Sequence, residues 1–209
     1  MVPALQSISR RGLLGLAGAL ACLAPVRPLA ASPMSGRDRL FVELAREVLA
    51  RHGAQRPLGD RVGIADFALP SRAPRLFLVD LEAGRVSALL VSHGRGSDPG
   101  HTGVLQRFSN EAESHASSEG CFLTGAHYVG RHGRSMRLCG LEPSNSNAEA
   151  RAIVVHAASY VSPAIARAQG KIGRSHGCFA VAPEDLDLVL TRLGPGRLLL
   201  SGRFLGAPG

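Results

Sequence analysis

The chain is poor in cysteine, has a single lysine and lacks any long apolar run beyond its N-terminal region. Four cysteines in 209 residues are too few for a small scaffold stapled together by disulfides. Past Ala24 no apolar stretch approaches the roughly 20 residues that span a bilayer, so no stable membrane insertion is expected of the mature protein. Lys171 is the only lysine, and arginine supplies nearly all the positive charge in a net balance of +8. The arginines are scattered rather than striped, so nucleic acid is not an expected partner. Attraction to an anionic wall or membrane surface fits better. Internal repeats, low-complexity tracts and signs of a second domain are also missing.

The N-terminus has the features of a leader. Ser9-Arg10-Arg11-Gly12-Leu13-Leu14 is a twin-arginine pattern, followed by an apolar stretch from Leu13 to Ala24. That stretch is short for a span, and the small residues Ala30, Ala31 and Ser32 suit cleavage near Ala30 or Ala31. An uncleaved anchor is the alternative. A lipid anchor through Cys22 is a further one, with a poor lipobox in Ala19-Leu20-Ala21-Cys22. Residues 1–31 are therefore read as a twin-arginine-type signal peptide directing export to the periplasm or cell envelope. Residues 32–209 are read as a single domain, long enough to bury a real core. Loss of Arg10, Arg11 and Arg27, with no acidic residue beside them, takes the charge from +8 to +5. Three cysteines remain, Cys121, Cys139 and Cys178, which allows one disulfide and one free thiol.

Apolar periodicity predicts a helix over Arg37–Arg51, with Leu40, Phe41, Leu44, Ala45, Val48 and Leu49 on one face. Ser35 is its expected N-cap and Gly53 its stop. Packing on a sheet is the common fate of such a helix; lying on a membrane surface is the other. Val62–Leu69, Arg75–Leu81 and Arg85–Ser92 are short, aliphatic and bounded by Pro or Gly, as strands are, with a turn at Glu82-Ala83-Gly84. From His93 to Ser118 the chain is polar and glycine-rich, a loop long enough to suggest function. A second hairpin is predicted from Cys121–Val129 and Ser135–Leu141, then a helical turn over Asn145–Ala150 and a buried strand at Ile153–His156. A loop over Ala157–Ser175 follows. Pro183 opens a helix reaching Leu193, and Arg197–Ser201 is a last strand. The expected class is mainly β with peripheral helices.

The chemistry concentrates in Gly173-Arg174-Ser175-His176-Gly177-Cys178-Phe179, whose Cys178 lies 22 positions after His156, the end of a short apolar strand. A thiol needs a base to become a good nucleophile, and an imidazole near pKa 6.5 can take its proton and later return it to a leaving amine. Gly177 lets the backbone turn tightly, so the amides of Gly177 and Cys178 can point at a developing oxyanion. A buried structural cysteine and a satisfied structural histidine are the bland alternatives.

His156 followed by Ser175-His176-Gly177-Cys178 resembles the L,D-transpeptidase signature, a histidine preceding a Ser/Thr-His-Gly-Cys box by one loop. The similarity extends through Arg107-Phe108-Ser109-Asn110, Ser114-His115-Ala116-Ser117-Ser118, Tyr128 to Ser135, Arg137 to Leu141, Ile153–His156 and Gly173 to Val181. It looks like the exported, murein L,D-transpeptidase branch and covers about residues 75–202. His156-Ala157 stands where His-Gly is usual, and Phe179-Ala180 where many members have an aliphatic residue and then Arg or Asn. The resemblance implies a two-sheet β-sandwich with a catalytic cysteine loop. It implies attack of Cys178 on the carbonyl joining the third residue of a peptidoglycan stem to D-alanine, with His156 managing the proton and Ser175 orienting His156. D-Alanine leaves, and a second stem's amine takes the acyl group in a 3→3 cross-link; no cofactor is implied. Water as acceptor makes an L,D-carboxypeptidase instead. Another cysteine peptidase acting on stems and a catalytically idle wall-binding module are the remaining readings.

His176 is read as accessory. Ser109, Asn110, Ser117, Ser118 and Arg174 are candidates for the donor pocket, with Arg174 able to pair with a stem carboxylate in a bidentate fork. A solvated loop capping its own turns is the alternative. The other histidines lack the spacing of a metal site, and none is expected. If the second hairpin turns about Gly130, Cys121 faces Cys139. A cross-strand disulfide and a pair of free thiols are then both open.

Overall fold

A computed structural model describes residues 34–204. The expected leader, residues 1–31, lies outside the described residues. The first element, α1 (Gly36–Arg51), starts where predicted, with the Ser35 hydroxyl accepting from the Asp38 amide at 3.1 Å. Its apolar face carries Phe41, Val42, Ala45 and Val48, and all four are buried. Phe41 stacks on Phe77 with ring centroids 3.9 Å apart. Removing a phenyl ring from such a site costs about 3–5 kcal/mol.

Eight strands follow: β1 (Arg61–Asp66), β2 (Leu76–Asp80), β3 (Arg85–Leu89), β4 (Gly120–Gly130), β5 (Gly133–Gly140), β6 (Val154–Ala157), β7 (Phe179–Val181) and β8 (Leu198–Gly202). They hydrogen-bond in the order β3-β2-β1-β8-β4-β5-β6-β7. β1 and β8 are parallel, as are β6 and β7; the other pairs are antiparallel. The mainly-β class with peripheral helices is as expected. The ladder is continuous, so the two layers are halves of one curled sheet: an antiparallel bridge from Val91 to Val181 joins the segment after β3 to β7 at the far end.

Strand alternation separates two cores. Val62 and Ile64 of β1, Phe77 and Val79 of β2 and Leu198 and Leu200 of β8 face α1. Leu76, Leu78 and Leu199 point the other way. There they meet Phe122, Met136, Val155, Phe179 and Val181 from the second half of the sheet, with Val189, Leu190 and Leu193 beside them. Burial on both faces explains why these strands read as unbroken aliphatic runs.

Three sequence expectations change. The loop over 157–175 contains a helix, α2 (Pro163–Gln169), with Ser162 as N-cap, Pro163 in its first turn and Gly170 left-handed at its end. The final helix divides into a 3₁₀ turn at Pro183–Asp185 and α3 (Leu186–Arg192). Of the two states left open for Cys121 and Cys139, the structure shows free thiols. A bulge between Thr124 and His127 and a turn at residues 131–132 shift the hairpin register, so Cys139 faces Leu123 while Cys121 pairs with Leu200 of β8. Cys121, Cys139 and Cys178 are free thiols, and Cys121 is buried, its pKa pushed up to about 12 by desolvation.

Candidate active site

The parallel β6–β7 pair builds the site. Val155 pairs with Phe179 and His156 with Ala180. Alternation sends Val155, Phe179 and Val181 into the core and leaves Cys178, two residues before Ala180, on the same face as His156. Both line one cleft of about 410 Å³, together with Arg131, His132, Tyr160, Arg174, Ser175 and His176. Among the described residues no carboxylate lines it.

Each member of the predicted pair rests in its neutral form. The Cys178 thiol is 9% exposed and donates to the Ala152 carbonyl at 3.5 Å. Burial pushes its pKa up, against the pull of the Val154 backbone amide and of the Arg151 and Arg131 charges. His156 is 3% exposed. Burial holds its pKa below the usual histidine value, partly offset by a hydrogen bond to Ala157, and a nearby His132 adds to the lowering. The contact between His156 Nδ1 and the Ala157 carbonyl is 2.9 Å long. A carbonyl only accepts, so Nδ1 carries the proton and Nε2 keeps its lone pair. This cleft holds a neutral thiol and a neutral imidazole with its basic nitrogen free.

The cysteine loop is locked from both sides. Gly177 has φ +114°, and a Cβ there would sit 2.7 Å from both the Ala116 carbonyl and Ile153 Cδ1, so only glycine fits. Arg95 N donates to the Ser175 carbonyl at 2.8 Å, and Ser175 N to the His93 carbonyl at 2.9 Å. His93 accepts from the fully buried Arg75 at Nδ1, 2.8 Å, and faces Asp98 through Nε2 at 3.4 Å. Asp98 in turn accepts from the Thr102 and Gly103 amides. This buried Arg-His-Asp chain fixes the start of the polar loop on which the cysteine loop leans.

The catalytic-domain model of the L,D-transpeptidases matches residues 37–201. The chain belongs to that family. No curated protein matches it. Among solved structures it is similar to the L,D-transpeptidase from Mycobacterium smegmatis (15% identity, TM-score 0.41, covering 68% of this chain and 58% of that one). It is also similar to L,D-transpeptidase 3 from Mycobacterium tuberculosis in complex with a faropenem-derived adduct (13%, 0.44, 69% and 60%). A third is the helical cell shape determining protein Pgp2 from Campylobacter jejuni (8%, 0.44, 82% and 58%). The L,D-transpeptidase domain described here spans about three-fifths of the length of these chains.

Within this L,D-transpeptidase domain the other predicted site residues take different places. Among the described residues Ser175 makes no hydrogen bond to His156: its hydroxyl donates to the Cys178 carbonyl at 2.7 Å and accepts from the Gly177 amide at 3.1 Å. The group bonded to His156 Nδ1 is the Ala157 carbonyl, which residue type alone does not reveal. Gly177 N–H, expected at an oxyanion, is spent on Ser175. Arg174 lines the cleft, and its guanidinium also donates to the carbonyls of Asp98 and Pro99. Ser109, Asn110, Ser117 and Ser118 stay outside the cleft and stitch the polar loop together. Ser118 Oγ donates to Ser109 O at 3.0 Å, Ser117 Oγ accepts from Gly94 N at 3.0 Å, and Asn110 Nδ2 donates to Pro143 O at 2.8 Å. Sequence reasoning missed Arg131, His132 and Tyr160 as lining residues. It also missed Arg151, which donates to Ser109 O (2.8 Å), Ser118 Oγ (2.6 Å) and Ala116 O (2.5 Å). The arginines at 131 and 151 offered one signal, an unexplained charge within a few residues of a predicted turn.

Proposed function

We propose that the protein is an exported peptidoglycan L,D-transpeptidase that transfers an acyl group through a thioester on Cys178. The observation that carries this reading is the single cleft shared by Cys178 and His156, in which the Ala157 carbonyl holds Nδ1–H and leaves Nε2 free. Membership of the L,D-transpeptidase family supports it.

The chemistry follows from those protonation states. Nε2 of His156 takes the thiol proton as sulfur adds to the carbonyl carbon joining the third stem residue to D-alanine. The C–N bond breaks, His156 returns the proton to the departing amine, and D-alanine leaves a thioester. An amine of a second stem then adds to the thioester carbon and gives its proton to His156. The C–S bond breaks, the thiolate recovers the proton, and a 3→3 cross-link is formed. Another amine in that position is attached to the stem instead. Arg131 and Arg174 supply positive charge for the stem carboxylates. Ser175 shapes the loop, and His176 is accessory. The leader at 1–31 places this chemistry in the periplasm or cell envelope. No step requires a metal or organic cofactor.

Incubation with disaccharide-tetrapeptide muropeptides, read by mass spectrometry, tests the reading. Cross-linked dimers with loss of D-alanine are expected. Tripeptide alone identifies an L,D-carboxypeptidase, and unchanged substrate alongside a folded protein sinks the enzyme reading.

A further inference from the structure

Two parts of the cleft rest on one buried network. Arg75 and Asp98 are fully buried and His93 is 1% exposed. A guanidinium only donates, so Arg75 Nη2 gives its hydrogen to His93 Nδ1 at 2.8 Å. The His93 proton then sits on Nε2 and points at Asp98 Oδ2, 3.4 Å away. The Asp98 carboxylate also accepts from the Thr102 amide and hydroxyl (2.8 and 2.9 Å) and from the Gly103 amide (2.8 Å). Arg75 donates as well to the carbonyls of Val91 and Leu69, each at 3.0 Å, and lies 4.9 Å over the Phe67 ring. A buried charge network of this kind adds little net stability over packed apolar residues. Satisfied at each member, it holds a single geometry.

One arm of the network reaches the cysteine loop. Residues 91–95 run alongside β7 and the loop before it. Val91 bridges to Val181, and Ser92 N donates to the Ala180 carbonyl at 2.8 Å. Ser175 N donates to the His93 carbonyl (2.9 Å) and Arg95 N to the Ser175 carbonyl (2.8 Å). Arg75 grips this segment at the Val91 carbonyl and at the His93 ring, so the placing of Ser175, three residues before Cys178, depends on it. The other arm reaches Arg174. Its Nη1 donates to the carbonyl of Asp98, the residue that the network pins, and to that of Pro99 at 3.1 Å. Both bonds use Nη1, which leaves the Nε–Nη2 edge of the guanidinium for a carboxylate in the cleft that it lines.

We propose that Arg75, His93 and Asp98 are positioning residues: through the Asp98 carbonyl they aim Arg174 at a carboxylate of the stem, and through the His93 carbonyl they seat the start of the cysteine loop. None of the three lines the cleft, so each acts through Arg174 or Ser175. The network thereby sets a preference for free-acid over amidated stems. The identity of that ligand rests on the peptidoglycan reading, whereas the fixing of Arg174 belongs to the unliganded chain.

Two measurements test it. The first uses no ligand and follows the guanidinium nitrogens of Arg174 by NMR. Separate Nη1 and Nη2 signals are expected in wild type, where rotation is held. One merged signal is expected in His93→Leu, which leaves Arg75 and Asp98 without their shared partner. His93→Gln keeps an acceptor and a donor, and should restore the separate signals. The second measures binding by calorimetry in a Cys178→Ala background, with a tetrapeptide stem and the same stem with its carboxylates amidated. The free-acid stem is expected to bind about tenfold tighter, the usual weight of a charged hydrogen bond. His93→Leu should abolish that preference and His93→Gln should keep it. If His93→Leu does not fold, Asp98→Asn, which cannot accept at both carboxylate positions, is expected to merge the signals and remove the preference in its place. Unchanged signals in the folded variant overturn the proposal, and so does equal weakening of both stems, the mark of a merely structural role. Merged signals in the variant, with no preference between stems in wild type, keep the anchoring of Arg174 and remove the stem carboxylate as its target.

Discussion

The ring of His132 stacks on the ring of His156, with centroids 4.3 Å apart and planes inclined by 19°. His132 comes from the β4–β5 turn, so the hairpin tip packs against the imidazole that carries the proposed base. A charge on His132 lowers the pKa of His156. Removing it raises that pKa, because one repulsive neighbour is gone. His132→Ala is therefore expected to move the acid limb of the kcat/KM–pH profile to higher pH. Loss of an aromatic contact of this kind also lowers kcat by roughly two- to tenfold. An acid limb that stays in place would mean the stacking has no bearing on the base.

In wild type the same limb is expected below the ordinary histidine pKa, since burial favours neutral His156. Ser175→Ala is predicted to lower kcat about tenfold without moving that limb, because its hydroxyl braces Cys178 and Gly177 rather than His156. A shifted limb in this variant would restore Ser175 as the orienting residue.

Arg131 acts on the thiol from the same hairpin tip. Its charge pulls the Cys178 pKa down against burial. Arg131→Gln should move the alkylation of Cys178 by iodoacetamide, followed against pH, toward more alkaline midpoints. An unchanged midpoint would leave Arg131 with no role at the nucleophile.

Stability should fall in mild acid because of His93. Its pKa is lowered to about 4, chiefly by burial, with the Arg75 charge adding to it. Between the unfolded value near 6.5 and about 4 the unfolded chain binds a proton that the folded chain refuses. The contribution of His93 is thus complete above the unfolded pKa and is lost as pH falls through the folded one, with a slope of at most about 1.4 kcal/mol per pH unit. Urea midpoints measured across that window should decline in wild type and decline less in His93→Gln. Parallel declines would exclude His93 as the cause.

Much of the scaffold is legible in the residues because burial writes period into the chain. The helix at 36–51 shows its apolar stripe, and the doubly buried strands show aliphatic runs bounded by Gly and Pro. The short α2 is missed because seven residues carry too little periodicity, although Ser162, Pro163 and Gly170 mark its ends. The hairpin register is missed because a bulge leaves no mark in alternation, and with it goes the Cys121–Cys139 pairing. At the site, Cys178 and His156 stand out by chemical type and by the strand on which His156 ends. Their setting does not. The Ala157 carbonyl belongs to any residue, the approach of Arg131, His132 and Arg151 is tertiary, and a serine-rich loop reads the same whether it faces a ligand or satisfies itself.

The most direct test of the central claim is the intact mass of the protein, rapidly quenched in acid after mixing with a tetrapeptide stem. The account predicts an adduct equal to the stem minus D-alanine, mapped to Cys178, absent from Cys178→Ala and formed at a small fraction of the wild-type rate by His156→Ala. His176→Ala should still form it. Turnover of the stem with no adduct, or an adduct that persists in Cys178→Ala, would contradict the account.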